Sequence, residues 1–201
     1  LDRARRFNPE LDDVAYYHIE RGQALYFLKV DQQSSDSQVY LAFTYRGQRG
    51  YLDAYQQMLG LWQAHRTTPW VVDQMGQTLE RLTENSRPLG GQVSTRIQRG
   101  GAALVWVQLL RQVDPTNVYG AYMLARIQYE ISNFTVAREE MAQVIRMSGR
   151  SEVASSAYTY MALSDAGLSD YVEERVLLFK AVALDPDYRN NTARENLSGL
   201  R

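Results

Sequence analysis

Few side chains in this sequence could carry out chemistry, and those few are widely separated. The chain has no cysteine, which excludes disulfides, thiolate nucleophiles and cysteine-ligated metals. Its two histidines, His18 and His65, are far apart, and neither has a second histidine at the spacing that lets one helix face bind zinc. No GxSxG segment marks a nucleophilic serine, although a Ser-His-Asp arrangement built from distant segments stays open. We therefore predict no metal, no cofactor and no enzymatic activity.

Paired acidic residues and paired glycines are the other candidate sites. Glu139-Glu140 and Glu173-Glu174 are adjacent in sequence, so the two carboxylates of each pair cannot face each other across a helix. We interpret them as solvated helix faces. Gly90-Gly91 and Gly100-Gly101 lack the GK[ST] or GxGxxG pattern of a phosphate-binding loop. We interpret both glycine pairs as breaks between helices.

Charge and hydropathy limit the classes of partner. The 201 residues carry 22 Lys and Arg against 23 Asp and Glu, a formal net charge of -1. This balance gives no electrostatic reason to bind nucleic acid or an anionic membrane. No run approaches the roughly 18 apolar residues of a membrane span, and the longest candidate, 102–110, is interrupted by Gln108. We predict neither nucleic-acid binding nor membrane insertion by this segment.

The stretch 35–68 has the pattern of a helical hairpin. Apolar residues return every three or four positions on either side of a glycine-containing reversal at 46–50. The first helix supplies Leu41, Ala42 and Tyr45, and the second supplies Tyr51, Ala54, Met58 and Leu61. The small side chains of Ala42 and Ala54 would let the two helices approach closely, and we expect both residues to be buried at the crossing.

The same unit recurs twice. In 118–151 the matching positions are Leu124, Ala125, Phe134, Ala137 and Met141. In 155–188 they are Tyr158, Met161, Ala162, Tyr171, Leu178, Ala181 and the closing Pro186. Two residues depart from the pattern in this last unit: Asp165 stands where an aromatic is expected, and Glu174 stands in place of an alanine. We expect hairpin turns near 47–50, 131–134 and 166–170.

These three units resemble the tetratricopeptide repeat, a helical hairpin with a period of about 34 residues. The resemblance implies an all-α, right-handed superhelix of antiparallel helix pairs with some irregular repeats. We expect 1–201 to form a single domain of this kind, a piece of a longer protein, because 1–9 has the pattern of the tail of a second helix.

The remaining segments are helical but match the repeat poorly. Residues 12–30 are broadly apolar, and Gly22 is expected to split them. Thr68-Pro69 is a plausible helix start, with a core face that continues through Val72, Met75, Leu79 and Leu82. A helix is expected to resume at 102–112, and 188–200 suits a terminal capping helix.

One stripe of large side chains is not needed for the packing of its own hairpin. Tyr119, Tyr122, Arg126 and Tyr129 follow at i, i+3, i+7 and i+10 on the first helix of the 118–151 unit, while Leu124 and Ala125 are expected to face the partner helix. In the repeat family this face lines the concave groove, and the equivalent face of the 35–68 unit carries Phe43 and Arg46. Tyrosine and arginine dominate binding hot spots. The alternative is that the tyrosines pack against the next repeat.

The resemblance implies a protein–protein interaction scaffold that binds a protein or peptide in its concave groove. Its predicted binding residues are Tyr119, Tyr122, Arg126, Tyr129, Phe43 and Arg46. The alternative function is a non-catalytic helical appendage of a larger enzyme or membrane protein.

Overall fold

The computed structural model describes residues 1–149, 152–185, 187 and 189–200. These residues form helices and turns, with no β-strand among them. The α-helices are α1 (Asp2–Phe7), α2 (Ala15–Phe27), α3 (Ser35–Gly47), α4 (Tyr51–Ala64), α5 (Pro69–Ser86), α6 (Val93–Val113), α7 (Val118–Glu130), α8 (Phe134–Ser148), α9 (Glu152–Gly167), α10 (Tyr171–Ala183) and α11 (Asn191–Gly199), and a short 3-10 helix covers Pro9–Asp13. The prediction of an all-α chain is confirmed.

The chain divides into two compact units. The first comprises Leu1–Asn85 with Gln112–Pro115, and the second comprises Ser86–Arg111 with Thr116–Arg201. The first unit contains the hairpin α3–α4, and the second contains α7–α8 and α9–α10. The single domain expected from the sequence stays a prediction.

All three hairpins have the helices that their sequence pattern predicts. Their turns lie between Gly47 and Tyr51, between Glu130 and Phe134, and between Gly167 and Tyr171. In each turn the residue that adopts a left-handed backbone conformation is not a glycine. These residues are Arg49, Ser132 and Ser169, with φ of 63°, 69° and 67°. The reversal at 46–50 therefore depends on Arg49, and not on the glycines to which the sequence pattern assigned it.

A backbone hydrogen bond closes each of these turns in the same way. The N–H of Gly50 donates to the carbonyl of Tyr45 at 2.8 Å, and that of Asp170 donates to the carbonyl of Asp165 at 2.8 Å. The equivalent bond runs from Asn133 to Gln128 at 2.8 Å. This is the 6→1 bond of the Schellman motif, which satisfies a carbonyl at the helix end.

The predicted crossing residues are buried. Ala42 is 1% exposed, and Ala54, Ala125 and Ala137 are 0% exposed. In each hairpin the residue of the second helix lies twelve positions after its counterpart in the first. The predicted burial of these four alanines is confirmed. In the third hairpin the two residues with this spacing are Ala162 and Glu174.

The two departures from the repeat pattern in 155–188 place carboxyl groups inside the protein. Asp165 on α9 is 1% exposed, and Glu174 on α10 is 5% exposed. Arg138 of α8 lies 2.6 Å from Asp165, Nε to Oδ1. Burial raises the pKa of Asp165 against the lowering effect of Arg138, and Asp170 and Glu173 raise it further.

Burial also raises the pKa of Glu174, and the neighbouring charge of Asp165 adds to this effect. Both acids are thus in surroundings that favour the protonated form. Our interpretation of Glu173-Glu174 as a solvated pair was wrong for Glu174.

Gly22 does not split the 12–30 segment, because α2 runs through it without a break. A Cβ added at Gly22 would lie 1.8 Å from the carbonyl oxygen of Asp36 and 2.9 Å from the backbone nitrogen of Ser37. The glycine is needed because the backbone at the start of α3 approaches α2 at this point.

The interpretation of Gly100-Gly101 as a helix break was also wrong. Helix α6 is continuous from Val93 to Val113. A Cβ at Gly100 would lie 2.3 Å from the Cγ2 of Ile131, so this glycine admits a neighbouring side chain. Gly90 and Gly91 do lie between helices, with φ of 69° and 83°.

The other predicted elements are helical. Helix α5 begins at Pro69 and buries Met75, Leu79 and Leu82, and it buries Val71 where Val72 was expected. Helix α11 packs Ala193 on a cluster in α9 and α10 that contains Leu178.

The predictions for Leu124 and for Pro186 have different outcomes. Leu124, expected to face α8, packs instead on a cluster of α6 and α7 residues. Pro186 and Tyr188 lie outside the described residues.

Candidate functional site

Helix α7 positions four of the six predicted binding residues. The helix begins after Asn117, whose side chain accepts a hydrogen bond from the backbone N–H of Gly120 at 2.8 Å. Tyr119 is 36% exposed, whereas Tyr122, Arg126 and Tyr129 are half-buried. Burial raises the pKa of Tyr122 to about 12. The four side chains are therefore partly accessible to a partner.

Tyr160 of α9 lies at the centre of this face. Its ring contacts the rings of Tyr122 and Tyr129 edge to face, with centroids 6.1 Å and 5.3 Å away. The Cζ atom of Arg126 lies 4.9 Å from the centroid of the same ring. Three of the predicted residues thus pack on one tyrosine of the next hairpin. We call Tyr119, Tyr122, Arg126, Tyr129 and Tyr160 the tyrosine face.

Arg126 has an acid partner within its own helix. Its Nε lies 3.1 Å from Glu130 Oε1, and Arg87 Nε lies 3.2 Å from the same oxygen. Burial raises the pKa of Glu130, while the two arginines act to lower it. Arg126 is therefore paired with Glu130 while its guanidinium lies over the ring of Tyr160.

Two cavities border the tyrosine face. The first has a volume of about 280 Å³, and its walls include Tyr122, Arg126 and Tyr160 together with the start of α11 at Asn190–Thr192. The second has a volume of about 250 Å³ and is lined by Tyr129, Glu130 and Phe134 among others. Both volumes suit a side chain rather than a large ligand.

The wall of the first cavity is held by hydrogen bonds. Asn190 donates from Nδ2 to Ser155 Oγ at 2.8 Å and to Thr159 Oγ1 at 2.9 Å. Its Oδ1 accepts from the backbone N–H of Ala193 at 3.1 Å. The side-chain amide of Asn190 therefore uses both its NH2 group and its oxygen in hydrogen bonds, and these bonds fix the start of α11 to α9.

The remaining two predicted residues, Phe43 and Arg46, belong to the first unit. Phe43 is 48% exposed, and Arg46 is half-buried with its Cζ 6.0 Å from the Phe43 ring centroid. They line a cavity of about 390 Å³ with Gly47, Gln77, Glu80 and Arg81. The structure therefore presents the six predicted residues as two separate sets, one in each unit.

One of the two histidines, His18, is engaged by two oxygen acceptors within the first unit. His18 contacts Asp36 Oδ1 through Nδ1 at 2.7 Å and the carbonyl of Asp12 through Nε2 at 3.0 Å. Both partners only accept hydrogen bonds, so both ring nitrogens donate. Burial acts to lower the pKa of His18, but the bonds to Asp36 and Asp12 outweigh it and raise the pKa. Both ring nitrogens of His18 are therefore engaged in contacts within the protein.

No helix in the described part of the chain is long and apolar enough to cross a bilayer.

Sequence reasoning missed Tyr160 and Asn190 as parts of the site. Tyr160 follows Thr159 on α9. Thr159 is itself 1% exposed, so the accessible ring belongs to its neighbour. Asn190 precedes Asn191 and Thr192, a combination typical of a helix start, and this signal indicates a cap but not a cavity wall.

Comparison with known proteins gives the fold. No protein-family model matches the sequence, and the search of curated proteins found no similar one. Among the solved structures that match is YrrB, described as a TPR protein with an unusual peptide-binding site. It is 13% identical to this chain and superposes with a TM-score of 0.59, covering 98% of this chain and 97% of YrrB. The predicted resemblance to tetratricopeptide repeats is confirmed at the level of the fold.

Proposed function

We propose that this chain, which has the fold of tetratricopeptide-repeat proteins, is a non-catalytic scaffold that binds a protein or peptide through the tyrosine face. The observation that carries the proposal is the cluster around Tyr160. Tyr122, Tyr160 and Arg126 are partly exposed there and line a cavity of about 280 Å³, and Tyr129 lines a second cavity of about 250 Å³.

The chemistry of the face suits a polypeptide ligand. Each tyrosine offers apolar area and a hydroxyl, and only two side-chain torsions must be fixed on binding. Arg126 and Glu130 are already paired, and Arg126 is stacked on Tyr160, so these side chains lose little freedom when a partner docks. The peptide-binding site ascribed to YrrB supports the same class of ligand.

The experiment uses a displayed library of random 12-residue peptides selected on the purified chain. Affinities of the selected peptides are then measured by calorimetry for the wild type and for the double variant Tyr122→Phe/Arg126→Met. These substitutions remove a hydroxyl and a charge but keep most of the packing, and Glu130 retains Arg87. The matched control is Tyr171→Phe, an exposed tyrosine on α10.

We expect the double variant to bind about 30-fold more weakly, the loss that corresponds to a hot spot of about 2 kcal/mol. The control should bind like the wild type, and all three proteins should melt within a few degrees of each other. Equal affinities of the double variant and the control would refute binding at the tyrosine face.

A further inference from the structure

Helix α10 carries a continuous apolar stripe on its exposed side. Successive residues of an α-helix are about 100° apart, so Val172, Val176 and Phe179 fall within about 60° of one another, and Ala183 extends the stripe by one turn. All four residues are exposed. A different side of α10 faces the core of the second unit and buries Leu178. We call Val172, Val176, Phe179 and Ala183 the outer stripe.

The preceding hairpin shows that the repeat does not require apolar side chains at these positions. Helices α8 and α10 are the second helices of successive hairpins, and they can be aligned on their first residues, Phe134 and Tyr171. The α8 residues that then match the outer stripe are Thr135, Glu139, Ala142 and Arg146. Three of these four are polar. The large apolar side chains of α10 therefore indicate a contact that the hairpin itself does not make.

Two opposite charges border the outer stripe along one edge. Glu173 is three residues before Val176 and Lys180 is four residues after it. Both point about 40–60° to the same side of Val176, and they lie about 10 Å apart along the helix axis. No ion pair in the described part of the chain involves either of them, and Lys180 Nζ lies 6.0 Å from the ring centroid of Tyr158. The acid and the base are thus nearly equidistant from Val176.

This arrangement is complementary to itself. If two copies of α10 pack antiparallel with Val176 facing its own copy, a two-fold axis places Glu173 of each copy beside Lys180 of the other. The same axis sets Val172 between Phe179 and Ala183 of the second copy, so the apolar side chains interdigitate.

One charge opposes this packing. Arg175 is exposed on the opposite edge of the stripe and would approach its own copy there. Since this edge is open to solvent, the repulsion is screened and makes the association weaker without preventing it.

We propose that the outer stripe of α10 is a two-fold contact through which two copies of this chain associate in antiparallel orientation. The proposal goes beyond the proposed function, because the tyrosine face contains no α10 residue. A contact made by one face of a 13-residue helix falls at the lower end of specific interfaces, below about 1,200 Å² in total. The dimer is therefore weak and depends on protein concentration.

The first test measures the oligomeric state by sedimentation equilibrium from about 1 µM to about 300 µM, which covers the affinities of weak interfaces. Val176→Glu places a carboxylate at the centre of the contact, opposite its own copy. The matched control is Val136→Glu on α8, because Val136 is 41% exposed and Val176 is 42% exposed. We expect the wild type and Val136→Glu to dimerise with the same dissociation constant and Val176→Glu to stay monomeric, while circular dichroism shows all three folded.

The second test exchanges the charges and examines the antiparallel orientation. Glu173→Lys and Lys180→Glu each bring like charges together in a dimer of the variant, and each should weaken association about tenfold. A mixed dimer of these two variants again has an acid beside a base at both positions. We therefore expect an equimolar mixture, with one variant fluorescently labelled, to associate about as tightly as the wild type.

Three outcomes would each overturn the proposal. The first is a wild type that stays monomeric over the whole concentration range, which would leave the outer stripe to a different protein. The second is a Val176→Glu variant that dimerises like the wild type. The third is a mixture of the two charge variants that associates no better than either variant alone. Peptide binding at the tyrosine face is decided separately, by Tyr122→Phe/Arg126→Met.

Discussion

Substituting Gly22 tests the close approach of α2 to α3, which the sequence pattern did not predict. An alanine Cβ at this position would lie 1.8 Å from the Asp36 carbonyl oxygen and 2.3 Å from its carbon. Ordinary van der Waals contact begins near 3.4 Å, so α2 and α3 must separate by more than 1 Å. The obstacle is backbone, and no side-chain rotation can relieve it.

The separation would also strain the contacts that Asp36 makes with α2. Its carboxylate binds His18 at 2.7 Å and also pairs with Arg21. Overpacking a tight contact costs about 1–3 kcal/mol, and the upper end applies where backbone meets backbone. Replacing glycine by alanine in a helix returns about 1 kcal/mol of propensity. We expect Gly22→Ala to lower the free energy of unfolding by about 2 kcal/mol.

The matched control is Gly60→Ala in α4. Gly60 is exposed and helical, and an added Cβ meets nothing within 4 Å. This variant should gain up to about 1 kcal/mol. For a chain of this size, thermal unfolding followed by circular dichroism should show Gly22→Ala about 4–8 °C below the wild type and Gly60→Ala about 2–4 °C above it. Similar shifts in the two variants would show that the approach of α2 to α3 is not as close as the structure has it.

Two further predictions concern buried acid and turn geometry. The folded protein raises the pKa of Glu174, so its contribution to stability is full below the unfolded pKa and is lost as pH rises through the folded pKa. In urea unfolding, Glu174→Gln should therefore be about 1 kcal/mol more stable than the wild type at pH 7 and nearly equal to it at pH 4. The control Glu139→Gln, at an exposed position, should match the wild type at both pH values. A difference between Glu174→Gln and the wild type that is the same at both pH values would contradict the reasoning. At the left-handed turn positions, Ser132→Gly and Ser169→Gly should each raise the free energy of unfolding by about 0.5–1 kcal/mol, and a loss of stability in both would refute the turn assignment.

The hairpins were predictable because packing repeats a spacing that can be seen in the sequence. Buried alanines stand twelve positions apart at Ala42 and Ala54 and again at Ala125 and Ala137. Local residue types and tertiary packing agree at these positions, so a pattern in one segment was enough.

The glycines were misjudged because one residue type serves two physical purposes. A glycine can end a helix, or it can admit a neighbour, and the surrounding residues look alike in both cases. Gly22 and Gly100 lie inside helices. Glycine is needed there because Asp36 and Ile131, which are distant in sequence, approach the two positions closely. Only the tertiary structure supplies that information.

The candidate site was predictable in part. The i, i+3, i+7 and i+10 spacing indicated that the side chains from Tyr119 to Tyr129 share a face of α7. It could not show that Arg126 is paired with Glu130 or that Tyr160 supplies the central ring, because both depend on side-chain conformation and on a second hairpin.

The turns of the three hairpins bear on how far such a chain can diverge. An arginine and two serines occupy the same left-handed position, and one backbone hydrogen bond holds each reversal. Since the bond involves only main-chain atoms, the residue at the turn can be exchanged at a cost of about 1 kcal/mol without shifting the register of the two helices. Repeated exchanges of this kind would change the residues of the turns while leaving the three backbone reversals in place.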